Sequence, residues 1–218
     1  MPGNVFIRLL LDYLFIFYMS MWIIFPAYLA NAVMVPVSRR LEKRGWNHSM
    51  DGGKFLGETR VLGAGKTIEG ALAGTTIGIL GGIVQLLLAP AFQFISLKWH
   101  GFYGSLLVAN GDIMFYIAWN RTSMIRALIF PPGAILGDMM GSFIKRRMHV
   151  NRGESLPLLD QLDFIIGVIL FSLVSHGIGA SLIQVSPLYL VPIIILTPLI
   201  HLAVNRVAFK TGIKDVPH

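Results

Sequence analysis

Gly133-Ala134-Ile135-Leu136-Gly137-Asp138-Met139-Met140-Gly141-Ser142-Phe143-Ile144-Lys145-Arg146-Arg147, followed by Pro157-Leu158-Leu159-Asp160-Gln161-Leu162-Asp163, decides the reading of this chain. One acid lies inside an apolar helix, three cations close that helix, and a carboxylate pair opens the next. An ionisable group in a membrane span is costly and marks a functional site by default. Acids that can hold a divalent cation, beside cations that can hold phosphates, point to a nucleotide site at a membrane surface.

The rest of the chain fits a membrane setting. Of 218 residues, 55% are hydrophobic and 13% charged, and the mean hydropathy is +0.68. A soluble domain carries about a quarter charged residues. The expected fold is an all-α integral membrane protein, a bundle of about five transmembrane helices with cytoplasmic loops, forming one domain over 1–218. The spans are predicted at 6–37, 67–90, 124–146, 161–183 and 188–209. The first run is too long for the apolar part of a signal peptide, so it is kept as a span. Residues 101–118 are apolar but broken by Asn110-Gly111-Asp112, and are expected to be interfacial or re-entrant. The net charge of +7 does not describe a nucleic-acid face. Of the 18 Lys and Arg, seven lie in 38–66, four in 143–159 and three in 206–218. Cations gathered in segments between spans place those segments in the cytoplasm. Without cysteine, disulfides, thiol nucleophiles and cysteine metal sites are excluded.

Four constellations carry chemistry. Asp138, Ser142, Lys145 and Arg146 fall at i, i+4, i+7 and i+8, a single stripe from membrane to water. Arg147 is turned about 100° away from it and is expected to matter less to a ligand. Asp160 and Asp163 stand one turn apart at a helix start. With Asp138 they make three aspartates on neighbouring helices, suited to magnesium. Gly65-Lys66-Thr67 ends like a P-loop, but position 60 is Arg rather than Gly, so that reading fails. What remains is a Gly-rich turn into a helix N-terminus, with a lysine, which favours phosphate. Asp51-Gly52-Gly53 reads as a turn in the first basic segment, with Lys54 beside it. Thr197, His201 and Asn205 form a polar stripe on the last span, and Asn31 is a polar residue within the first. Gly70, Gly74 and Gly78, and again Gly133, Gly137 and Gly141, are ridges that allow close helix packing in lipid.

Together, Lys66-Thr67 with Glu69-Gly70, Gly137-Asp138, Ser142 with Lys145-Arg146, and Asp160-x-x-Asp163 resemble the CTP-dependent cytidylyltransferases of phospholipid synthesis. The closer resemblance is to the archaeal branch, the CDP-archaeol synthases, and extends to Pro26–Asn31, the Asp51 loop and His201-x-x-x-Asn205. Asn151-Arg152 and Pro157-Leu158-Leu159 depart from the bacterial and eukaryotic pattern, where Lys-Asp and His-Gly-Gly are typical. Ala64 and Glu69 stand where the archaeal pattern has Asp and Arg.

The resemblance implies transfer of the cytidylyl group of CTP to the phosphate of a geranylgeranylated glycerol ether lipid, releasing pyrophosphate. Asp138, Asp160 and Asp163 would hold Mg2+, the implied cofactor. Lys145 joins them as a catalytic group, and with Arg146 and Lys66 it would neutralise the phosphates. Ser142 and Thr67 would donate hydrogen bonds, Asp51 and Lys54 would contact the nucleotide, and Asn31, Thr197, His201 and Asn205 would line the cavity. The partners are CTP, the lipid phosphate and the bilayer, with no nucleic acid. The enzyme is expected in the cell membrane, its site facing the cytoplasm. A phosphatidate cytidylyltransferase acting on an ester lipid is the alternative within the class. A small transporter is the alternative outside it, disfavoured because no internal repeat is evident and the acids gather at one face.

Overall fold

The computed structural model describes residues 4–117, 120–151, 154, 156–177 and 185–210. Six helices, α1 Val5–Glu42, α2 Ile68–Tyr103, α3 Asn110–Tyr116, α4 Arg121–Arg147, α5 Leu159–Gly177 and α6 Pro187–Lys210, make up the body. Among the described residues α1, α2 and the Ser123–Arg147 part of α4 are long and apolar enough to cross a membrane. Their outward surfaces are apolar too: Leu72, Leu87, Leu128, Leu173 and Ile195 are all more than half exposed. Lipid, not water, suits that surface, and the chain is an integral membrane helix bundle.

Side-chain caps set where the helices begin. Asn4 accepts from Phe6 N at 3.1 Å, Thr67 from Gly70 N at 3.1 Å and Asn120 from Ser123 N at 2.9 Å, each satisfying an orphan N–H. Gly104, at φ 64°, ends α2 in the left-handed conformation that glycine adopts without strain.

Two expectations change here. The second span does not stop at residue 90. Pro90 lies inside α2, which continues to Tyr103, as spans tolerate proline where neighbouring groups satisfy the freed carbonyl. Residues 101–117, the described part of that stretch, are therefore divided: the end of α2, a connection, and the seven-residue α3. A helix of that length covers about 10 Å, a third of a hydrocarbon core. The all-α bundle holds, and its first long loop carries one small extra element. A small antiparallel hairpin, β1 Phe55–Leu56 with β2 Thr59–Arg60, sits in the 43–67 segment.

Glycine ridges hold the helices together. A Cβ on Gly74 would lie 2.7 Å from Ala30 O on α1 and 2.9 Å from Ile135 Cδ1 on α4. One on Gly78 would lie 2.7 Å from Pro131 Cβ, and one on Gly82 would lie 2.6 Å from Ala127 Cβ. Thus α2 runs antiparallel to both α1 and α4 at backbone-contact distance, which only small residues permit. Ser20 Oγ donates to Tyr189 O at 3.0 Å and the Tyr28 hydroxyl lies 2.6 Å from Thr197 Oγ1, so α6 runs parallel to α1. Consequently the 43–67 segment, the α4–α5 connection and the C-terminal end of α6 share one end of the bundle.

The opposite end holds two buried charges that are structural. Asp12 is fully buried in α1 and accepts from Ser105 Oγ and from the N–H groups of Leu106 and Leu107 at 2.9 and 3.1 Å. It anchors the connection after α2. Buried Arg126 donates to Tyr116 O at the end of α3 and to Ser123 Oγ at 2.9 Å.

Candidate functional site

The 43–67 segment is organised around Asp51. Its carboxylate accepts from Arg60 Nη2 at 2.6 Å, from Ser49 Oγ and from the N–H groups of Gly53, Leu62 and Gly63 at 3.0, 3.1 and 3.0 Å. Burial alone would raise the Asp51 carboxyl. The hydrogen bonds from Arg60, Ser49, Gly63 and Gly53 outweigh it and hold the group far below the usual carboxylate range. This carboxylate builds the loop and has little capacity left for a nucleotide. Lys54, expected to act with it, is exposed.

The loop in turn aims Lys66. Met50 N donates to Lys66 O at 2.8 Å and Ile68 N to His48 O at 2.8 Å, which pins residues 66–68 in an extended line against 48–50. From there Lys66 Nζ reaches across to Asp138 Oδ2 on α4 in an ion pair. Both side chains are 15% exposed, so the pair is reachable from the bundle end. Thr67 takes a different role from the one expected. It is buried, caps α2 and sits 2.8 Å from Ser38 Oγ. Ser38 already donates to Met34 O at 2.9 Å, so the single Thr67 proton goes to Ser38, and none remains for a phosphate.

α4 and α5 meet through glycine. A Cβ at Gly137 would overlap Asp163 O and lie 2.9 Å from Gly167 Cα, and one at Gly141 would overlap Asp163 Oδ2. This ridge brings the Asp163 carboxyl beside Asp138: Asp163 feels Asp138 and Asp160 as like charges and Lys66 as the counter-charge. Asp160, one turn earlier, is held by Lys145, whose Nζ lies 3.0 and 2.9 Å from its two oxygens. Lys145 also donates to Glu154 O at 2.5 Å. Asp160 further accepts from Leu156 N at 2.9 Å, shaping the start of α5. Ser142 is half-buried on the same stripe, and its hydroxyl has no partner among the described residues.

The structure therefore brings together Lys66, Asp138 and Asp163, with Lys145–Asp160 as a second ion pair at the same bundle end. Among the described residues no three acids or histidines converge as a ready-made metal cage. Two neighbouring carboxylates, one of them paired with a lysine, would fit a magnesium ion, which commonly takes one or two carboxylates and completes its shell with phosphate and water. Asn31 is half-buried on α1. Thr197 is fully buried and used in the tie to Tyr28. The side chains of His201 and Asn205 lie outside the described residues.

One residue dismissed at the sequence level is prominent. Arg147 Nη1 donates to Leu56 O at 2.8 Å. Its Nη2 donates to Thr59 O at 3.2 Å, Thr59 Oγ1 at 2.6 Å and Arg60 O at 2.8 Å. It clamps the hairpin to the end of α4. The signal was available: Gly57-Glu58 between Lys54-Phe55-Leu56 and Thr59-Arg60 is a two-residue hairpin turn with glycine first, and Gly57 has φ 64°.

Comparison with known proteins gives the family of the chain. The family profile of CarS-like CDP-archaeol synthases matches residues 11–218. A CDP-archaeol synthase of Thermofilum pendens is 37% identical over 91% of this chain and 79% of its own length. That of Methanocaldococcus jannaschii is 37% identical over 90% and 94%. A solved structure described as an intramembrane enzyme for archaeal membrane lipids biosynthesis superposes with TM-score 0.58 at 31% identity, covering 85% of this chain and 92% of that one. With the match spanning nearly the whole bundle and both halves of the site, this chain belongs to the CarS-like CDP-archaeol synthase family.

Proposed function

We propose that the chain transfers the cytidylyl group of CTP to the phosphate of an unsaturated isoprenoid glycerol ether lipid, at the cytoplasmic membrane surface. The observation that carries the reading is the Lys66–Asp138 pair facing Asp163, an arrangement of two acids and a cation at the water-reachable end of a membrane bundle. An oxygen of the lipid phosphate attacks the α-phosphorus of CTP; the bond from that phosphorus to the β-phosphate oxygen breaks, and pyrophosphate leaves with the electron pair. The attacking oxygen is already anionic at neutral pH, so no side chain need remove a proton. The protein's task is positioning and charge neutralisation.

Lys66 neutralises the phosphates once its ammonium leaves Asp138 for them. Lys145 and Arg146 add cationic charge along the same stripe, and the hydroxyl of Ser142 donates a hydrogen bond. Asp138 and Asp163 would hold magnesium, which when bound would offset the charge of the triphosphate. Asp160 holds Lys145 in place. The basic segments at this end support a cytoplasmic orientation.

The test is an assay with purified protein, radiolabelled CTP, magnesium, and geranylgeranyl ether or diacyl ester lipid phosphates. A labelled CDP-lipid formed from the ether substrate is the expected product. No label transfer to either lipid would refute the reading, and transfer to the ester lipid alone would make the chain a phosphatidate cytidylyltransferase.

A further inference from the structure

The β1–β2 hairpin turns two large apolar side chains outward: Phe55 is 65% exposed and Leu56 55%. In water, adjacent apolar groups on so short a ribbon would be a liability, since an exposed strand edge invites pairing with other chains. What borders them is set by α4. Leu136, Met140, Ile144 and Met148 recur at every fourth position and are 39–56% exposed. One apolar stripe therefore winds along the outside of α4 to its last turn. Lys145, Arg146 and Arg147 close the same helix, and cations at the end of a span mark where hydrocarbon gives way to headgroups. Lipid thus borders α4 up to the level of Arg147.

Arg147 joins the hairpin to that boundary. Its guanidinium stands 5.3 Å from the centre of the Phe143 ring. It donates to Leu56 O at 2.8 Å, Thr59 Oγ1 at 2.6 Å and Arg60 O at 2.8 Å. Leu56 is the cross-strand partner of Thr59, and such partners share one face of the ribbon. Since Thr59 Oγ1 meets Arg147, the face that carries Leu56 is the one turned toward the end of α4. Phe55, paired with Arg60, occupies the other face.

We propose that the hairpin is an interfacial anchor: Phe55 and Leu56 lie in the boundary between lipid headgroups and hydrocarbon, continuing the lipid-facing stripe of α4. Its partner is the bilayer surface. A ribbon with an apolar side chain on each face enters that layer tip first, its backbone groups satisfied by the strand pairing, by Arg147 and by interfacial water. The consequence for the reaction rests on the cytidylyltransferase reading above. With the hairpin in that layer, the loop that carries Lys66 is held at the depth of lipid phosphates, and the lipid substrate arrives sideways without leaving the membrane.

Depth is measured on the full-length protein in lipid nanodiscs, with a nitroxide on single cysteines. The variants are Phe55→Cys, Leu56→Cys, a lipid reference Met140→Cys and a water reference His48→Cys, whose native side chain is 72% exposed. Collisions with oxygen, which concentrates in lipid, are compared with those of a nickel chelate, which stays in water. The oxygen-to-nickel ratio at positions 55 and 56 should stand severalfold above that at 48 and approach that at 140. Ratios equal to position 48 would leave the hairpin in water and overturn the proposal. Protection from both agents would put protein against the hairpin and overturn it as well. In turnover, Phe55→Ser with Leu56→Ser should raise the KM for vesicle-borne lipid phosphate about tenfold, as two lost apolar contacts would. The KM for CTP and the turnover of a short-chain, water-soluble lipid phosphate should hold, and Phe55→Trp with Leu56→Phe should behave as wild type. Equal losses on vesicle-borne and water-soluble substrates would make the hairpin a scaffold of the site and overturn the anchor's role in the reaction. If the wild type turns over neither lipid phosphate, the cytidylyltransferase reading fails, while the depth measurement still decides the anchor.

Discussion

Gly141 lies flat against the side chain of Asp163: a Cβ added to it would overlap Oδ2 and stand 2.8 Å from Asp163 Cβ. Gly141 of α4 therefore packs directly on the acid of α5 that is proposed to act with Asp138. Gly141→Ala should cost stability of about 1–3 kcal/mol by overpacking and should reduce turnover far more than that loss suggests, because the methyl displaces the carboxylate proposed to hold magnesium. Thermal unfolding and turnover measured on one preparation give the comparison. Turnover falling only in step with the folded fraction would reduce Gly141 to a packing residue.

Asp138→Asn and Asp163→Asn preserve shape and remove charge. Each should lower turnover by orders of magnitude and raise the magnesium concentration needed for half-maximal rate. Asp160→Asn should behave differently, because Asp160 is paired with Lys145 rather than facing Asp138. It frees Lys145, so its main effect should appear as weaker CTP binding, with a near-normal magnesium response. A magnesium titration of the three variants decides the grouping, and identical shifts in all three would place Asp160 among the metal ligands.

The Asp51 carboxyl is held far below its ordinary value by Arg60, Ser49 and backbone N–H groups, against the opposing effect of burial. A depressed folded-state pKa contributes stability above the unfolded value of about 3.9, and that contribution is lost as pH falls below it. Hydrogen-exchange protection of the Leu62 and Gly63 amides, which donate to Asp51, should hold from neutral pH down to about pH 4 and decline beneath it. In Asp51→Asn the protection should already be reduced at neutral pH. An unchanged profile in that variant would show that the loop does not depend on this carboxylate.

Topology has a direct test, since the chain has no cysteine to remove. Single cysteines at Lys54 and Asn151, at the site end, should label from the cytoplasmic side, and one at Phe102, 85% exposed at the other end of the bundle, from the opposite side. Labelling of Lys54 and Asn151 variants from different sides would separate the two halves of the site and end the proposed mechanism.

The sequence alone determined the class of protein and much of its chemistry. Apolar runs near the thickness of a bilayer, cations confined to the connecting segments and glycine every fourth residue prescribe a membrane bundle before any contact is known. Asp138 within an apolar helix and the Asp160–Asp163 pair are conspicuous for the same reason, because lipid makes every charge costly unless it has a use. That signal cannot distinguish uses. Asp12 and Arg126 are as costly as Asp138 and more deeply buried, yet they bind a loop and a helix end. Only the tertiary structure tells them apart from Asp138, since the difference lies in the partner across the gap.

The same reason explains the reassignments of Thr67, Asp51 and Arg147. A hydroxyl, a carboxylate and a guanidinium have fixed donor and acceptor capacities, and which groups fill them is decided by chain segments far away in sequence. Thr67 meets Ser38, Asp51 meets Arg60 and the amides of Leu62 and Gly63, and Arg147 meets a hairpin roughly ninety positions earlier. Periodicity reports the face of a helix on which a residue lies, while the loop that folds over that face is placed by long-range hydrogen bonds and glycine contacts that no local pattern contains.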